Sequence, residues 1–147
     1  MFRGINAITM DTKGRVAVPA RYREALGDEV VVTIDTEETC LLLYPVRGWL
    51  QIEEGLQKLP SFNGAARRIQ RLLMGHATDV VIDTQGRLLL PLLLREYAHL
   101  NKHVVMIGQG NKFEVWDEGC WQRRREQWLG EALSVDELPD EMKTFFL

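Results

Sequence analysis

The chain carries one motif twice. Asp11-Thr12-Lys13-Gly14-Arg15 is followed by an apolar triplet, Pro19 and Arg23-Glu24. Asp83-Thr84-Gln85-Gly86-Arg87 is followed by another apolar triplet, Pro91 and Arg95-Glu96. The offset is 72 residues at each match, and it returns at Tyr44 against Trp116 and at Trp49 against Trp121. A repeat of this length is a duplicated supersecondary unit, and it constrains the fold before any other reading. It divides the chain into residues 1–75 and 76–147, each a repeat followed by helix. No linker-like stretch separates them, so they are expected to fuse into one pseudo-two-fold body.

Each copy reads as hairpin, short helix, hairpin, then helix. Ile5 to Met10 is a strand, Asp11 to Gly14 is turn chemistry, and Val16 to Val18 is the returning arm. Pro19 opens a helix from Ala20 to Leu26 that Gly27 stops. Glu29 to Asp35 and Cys40 to Tyr44 flank a polar turn as a second hairpin. In the second copy the strands are Thr78 to Ile82, Leu88 to Leu90, His103 to Ile107 and Phe113 to Trp116. Pro91 opens the matching helix towards Leu100. Val46 to Leu59 and Gly64 to Met74 have helical apolar stripes, ended by Pro60 and Gly75. After Trp121 comes a longer helix with Arg123 to Arg125, the arginines solvated or paired with Glu126 and the acidic tail. Ser134 and Glu137 form a capping box for a last helix that ends in Phe145-Phe146-Leu147.

Net charge is −3, which alone points to no nucleic-acid partner. Its distribution is more telling. Residues 1–27 hold five Lys+Arg against two Asp+Glu, and residues 61–99 hold five against three. The segments that follow each are acidic. Positive charge therefore gathers around both Asp-Thr-x-Gly-Arg loops, as on a basic binding face of an acidic body. The chain has no apolar run long enough to span a membrane and no signal-peptide layout, so it is expected in the cytoplasm. Cys40 and Cys120 occupy unmatched positions and read as reduced thiols.

An Asp and an Arg four residues apart across a tight turn can pair over it. The plain role of such a pair is to stiffen the hairpin. The functional role is that Asp11 and Asp83, with Gly14 and Gly86 shaping the loops, orient Arg15 and Arg87 toward phosphate or a base edge, which the guanidinium fork suits. Arg3 and Lys13 add phosphate contacts near the first loop. Arg67, Arg68 and Arg71 form a basic helix face that either flanks the loops or is simply solvated. The paired Asp-Thr sequences do not make an aspartic-protease dyad, because nearby arginines would hold both carboxylates ionised. His76, His99 and His103 lack metal-ligand spacing. The residues point to no enzyme, no metal and no cofactor.

These residues resemble the two Asp-x-x-x-Arg signatures of the MraZ family. Met1-Phe2-Arg3-Gly4, Cys40 to Pro45, Arg67-Arg68 with Gln70-Arg71-Leu72, and Gly108-Gln109 with Asn111 to Glu114 resemble it as well. The resemblance implies an α+β fold of the AbrB type, a double-split β-barrel of swapped hairpins with helices after each repeat. It implies a DNA-binding regulator, a repressor of the division and cell-wall gene cluster and of its own promoter. It also implies a nucleoid-associated, ring-shaped homo-oligomer that binds repeated boxes of double-stranded DNA. The signature carries over to Asp11, Arg15, Asp83 and Arg87. The second loop departs from the first in having Gln85 where Lys13 stands. The alternative is a protein-binding or antitoxin-like scaffolding module with no DNA role.

Overall fold

The computed structural model describes residues 1–131 and 135–144. The first repeat comprises β1 (Phe2–Thr9), β2 (Arg15–Ala17), α1 (Ala20–Leu26), β3 (Glu29–Ile34), β4 (Leu41–Pro45), α2 (Val46–Gln57) and α3 (Gly64–His76). The second comprises β5 (Thr78–Val81), β6 (Arg87–Leu89), α4 (Leu92–Tyr97), β7 (His103–Gly110), β8 (Phe113–Asp117) and α5 (Glu118–Gly130). Two 3₁₀ turns follow, Val135–Glu137 and Asp140–Met142. Ser134 and Phe145 to Leu147, half of the expected cap and the end of the expected helix, lie outside the described residues.

The β3–β4 and β7–β8 hairpins form as the alternation of turn and apolar run requires. The first hairpin of each repeat does not form as expected. Between β1 and β2 there is a single bridge, Met10 with Val16. β1 instead pairs along its length with β7, and β5 pairs with β3, each with the other repeat. β2 leaves to pair with β6, Val16 opposite Leu88. The result is a six-stranded antiparallel sheet of order β1-β7-β8-β4-β3-β5 beside a two-stranded β2–β6 ribbon. The order is symmetric about the β8–β4 pair, so exchanging the repeats leaves it unchanged. The pairing gives α+β architecture with two strand sets that interlock, and the large sheet ends at β1 and β5.

The large sheet is apolar on both faces, so helices and ribbon must cover both. Val30, Val32, Leu41, Leu43, Val104, Met106, Phe113 and Val115 face one side. There they meet Val16 and Leu88 from the ribbon, Tyr22 and Leu26 from α1, Leu94 from α4 and Ala98 just after it. Val31, Leu42 and Tyr44 face the other side, under Trp49 and Leu56 of α2 and Leu73 and Met74 of α3. The repeat is visible in the packing: Trp49 lies on Tyr44 with ring centroids 5.7 Å apart, and Trp121 lies on Trp116 at 5.6 Å.

Two boundaries and one ion pair differ from the sequence reading for local reasons. Gly75 keeps helical geometry and α3 runs on to His76, whose Nδ1 lies 2.7 Å from the Leu72 carbonyl oxygen. α5 starts at Glu118 because the Asp117 side chain caps it, accepting from the Cys120 N–H at 3.0 Å. Arg124, expected to be solvated or paired with Glu126 and the tail, pairs with Glu38. It reaches the turn between β3 and β4, where Nη2 donates to Glu38 at 2.6 Å, and its guanidinium lies over the Trp128 ring. Both thiols are free, Cys40 fully buried. No helix among the described residues is long and apolar enough to cross a membrane.

Candidate nucleic-acid interface

The site begins with two carboxylates that organise two turns. The Asp11 Oδ1 atom accepts the backbone N–H of Lys13 at 3.0 Å and of Arg15 at 2.9 Å, while Oδ2 accepts Arg15 Nε–H at 2.7 Å. Asp83 repeats the pattern: Gln85 and Arg87 N–H to Oδ1, both at 2.9 Å, and Arg87 Nε–H to Oδ2 at 3.2 Å. Each aspartate therefore shapes its own loop and grips one edge of the arginine that leaves it. The remaining guanidinium donors of Arg15 and Arg87 stay available, since both side chains are about one-third exposed, at 33% and 35%.

Both carboxylates are held ionised. Asp11 is lowered from its ordinary 3.8 to about 2, the backbone N–H of Arg15 contributing most and the Arg15 side chain less. Asp83 is lowered for the same first reason, the backbone N–H of Arg87. The sequence argument credited the guanidinium; the turn's own amides matter more. A carboxylate lowered in the folded state adds stability above its unfolded pKa and loses it as pH falls through the folded value. The loop pairing is thus complete above about pH 4 and is lost as pH falls towards 2. A carboxyl-carbon NMR titration of Asp11 is expected to show a midpoint near 2, and a midpoint at 3.8 would contradict this geometry.

The ribbon fixes where the arginines point. Arg15 stands opposite Leu89 and Ala17 opposite Arg87. Val16 and Leu88, between them, are buried in the core. Because side chains alternate along a strand, Arg15, Ala17, Arg87 and Leu89 all share the outward face. Arg15 and Arg87 are diagonal neighbours across the ribbon, about 7–8 Å apart at their Cα atoms. The strand exchange thus brings together two loops that are 72 residues apart in sequence. Lys13 projects from the first turn, exposed.

The other predicted cations are elsewhere. Arg3 lies on β1 opposite Gln109, eight residues before Asp11 along an extended strand, so roughly 25 Å from the loop it was expected to support. Arg67, Arg68 and Arg71 are exposed on α3. That helix packs through Leu73 and Met74 on the sheet face opposite the ribbon, while its Leu72 reaches the ribbon-side core.

The sequence reading missed two arginines that the structure does gather here. Arg95 lies against Gly14, and Arg23 lies against Gly86. Their signal was present in the repeat, Pro19 to Arg23 and Pro91 to Arg95, but their target was in the other copy. The structure also groups Asp35, Cys40 and Glu114, with ligand-type atoms within 4.8 Å of one another. Burial pushes the Cys40 thiol up, and its Sγ–H donates to Asp35. The trio joins β8 to the turn between β3 and β4.

A two-stranded ribbon that presents arginines outward, each braced by an aspartate, offers guanidinium donors to an anion. A family model described as "MraZ protein, putative antitoxin-like" matches residues 1–72 and again 73–145. The chain is 69% identical over the full length of both proteins to the transcriptional regulator MraZ of Legionella pneumophila strain Corby. It is 54% identical to that of Coxiella burnetii strain Dugway 5J108-111 and 50% to that of Halorhodospira halophila, again over full lengths. The chain belongs to the MraZ family.

Proposed function

We propose that this protein is a sequence-specific DNA-binding transcriptional regulator whose β2–β6 ribbon enters the major groove. The observation that carries this is the outward diagonal pair Arg15 and Arg87, each held by its own aspartate. A major groove about 12 Å wide admits a two-stranded ribbon, and an arginine fork matches the O6 and N7 atoms of guanine. Arginines whose Cα atoms are about 7–8 Å apart suit base pairs close together on the duplex rather than distant ones. Lys13 and the rim of the loops would meet phosphate. Acidic segments elsewhere discourage indiscriminate adhesion.

In this reading the interlocked strands are the double-split, swapped-hairpin barrel of AbrB-type proteins, with 1–75 and 76–147 as its halves. The targets are repeated boxes ahead of the division and cell-wall gene cluster, including the protein's own promoter, where it represses. A ring-shaped homo-oligomer working in the cytoplasm on the nucleoid would engage several boxes at once. Engagement of one box makes later contacts intramolecular and raises avidity by about 10²–10⁴.

The test is salt. Titration of labelled DNA from upstream of the coding sequence is expected to give affinity that falls linearly on a log–log salt plot. Each phosphate contact adds about −0.9 to the slope. Binding of a protein partner without any salt-dependent DNA binding would replace this reading with the scaffolding, antitoxin-like one.

A further inference from the structure

We propose that Arg23 and Arg95 are positioning residues that act across the repeats: Arg95 sets the first loop and Arg23 sets the second, so that the two loops form one reading unit. The inference rests on the DNA-reading proposal for its consequence, and on geometry alone for the clamp.

The geometry is a closed circuit made twice. Leu90, in the second repeat, donates its N–H to the Gly14 carbonyl of the first at 3.0 Å. The Leu90 carbonyl accepts the Nε–H of Arg95 at 2.8 Å. The Arg95 guanidinium then lies back over Gly14, occupying the space any other residue would need. A Cβ built there falls 2.5 Å from Cζ and 2.6 Å from Nε. In the mirror circuit Val18 N–H donates to the Gly86 carbonyl at 2.8 Å and the Val18 carbonyl accepts Arg23 Nε–H at 3.0 Å. The Arg23 guanidinium covers Gly86 as Arg95 covers Gly14.

Gly14 and Gly86 have φ of +92° and +78°, so the loops need glycine for their backbone as well as for this close approach. Neither Arg23 nor Arg95 has a carboxylate within ion-pair distance among the described residues, unlike Arg15 and Arg87. Attraction to Asp11 or Asp83 therefore does not explain where they lie. A planar guanidinium anchored through Nε and lying against a glycine that has no side chain does explain it.

Arg95→Ala, Arg95→Lys and Arg23→Ala test this by two readouts. The first is hydrogen exchange by mass spectrometry over peptides spanning residues 9–17 and 81–89 of the free full-length protein. Arg95→Ala is expected to speed exchange in the first peptide and not the second, and Arg23→Ala the reverse. The second readout is affinity for the upstream DNA, expected to fall about tenfold in Arg95→Ala, the size of losing one well-oriented arginine–base contact. Arg95→Lys keeps the charge and loses the plate, so it is expected to behave like Arg95→Ala in both readouts. Unchanged exchange, or acceleration in the mutated residue's own loop, would overturn the clamp. So would full recovery of affinity by lysine, which would make Arg95 a simple phosphate contact. If the wild type binds no DNA, the exchange readout still decides the clamp, and only the DNA reading fails.

Discussion

Arg15→Ala is expected to lower affinity for the upstream DNA by at least about tenfold in a fluorescence anisotropy titration. A bidentate arginine–guanine contact is worth about 1–3 kcal/mol, and each 1.4 kcal/mol is a factor of ten. Binding through several boxes multiplies the loss. The variant should fold, because Asp11 still accepts the backbone N–H groups at positions 13 and 15. It also leaves the Asp11 carboxylate bare on the reading face, which repels phosphate. Arg87→Ala should act in the same direction. Its effect should be smaller, because Gln85 gives the second loop less charge than Lys13 gives the first. Unchanged affinity in Arg15→Ala would remove the first loop from the interface.

Phe113→Ala is expected to cost about 3–5 kcal/mol of stability, the range for truncating a buried Phe. The ring is fully buried and makes contacts that tie the repeats together. It lies 4.5 Å from Phe2 of β1 and 4.8 Å edge-on from Tyr22 of α1, centroid to centroid. Those aromatic pairs add about 0.5–1.5 kcal/mol each beyond burial. Removing the ring opens the inner core where the second repeat packs on the first. A chain of 147 residues should lose roughly 2–4 °C in Tm per kcal/mol, so a fall near 10 °C is expected. Phe62→Ala is the matched control. Phe62 is fully exposed between α2 and α3, and its loss should stay within about 0.5 kcal/mol. A Phe113 variant as stable as the Phe62 variant would contradict the packing.

Much of this was legible in the sequence. The 72-residue offset marked the two loops, and the matched aromatics at 44, 49, 116 and 121 became matched contacts. α1 and the two long hairpins follow from proline, glycine and alternation. What the sequence could not carry was the choice of partner. β2 is three residues with one buried side chain, and its own neighbour and the other repeat's copy offer it equivalent edges. Local signals cannot decide between chemically alike partners. That choice placed Arg15 beside Arg87, and Arg95 over Gly14. The basic stripe of α3 was correctly read as a helix face. Which sheet face the helix covers was not readable, because β3 is buried on both sides, from Val30 to Ile34. Arg3 was linked to the first loop by nearness in sequence, and an extended strand is the conformation that separates neighbours most.

The central claim is that the ribbon reads guanine in the major groove. Dimethyl sulfate footprinting tests it most directly, because the reagent methylates guanine N7 in the major groove and adenine N3 in the minor groove. The wild-type protein is expected to protect guanine N7 within each bound box, and Arg15→Ala to lose that protection at concentrations where any residual binding is saturated. Guanines that stay fully reactive in the wild-type complex, with adenine N3 protected instead, would contradict it.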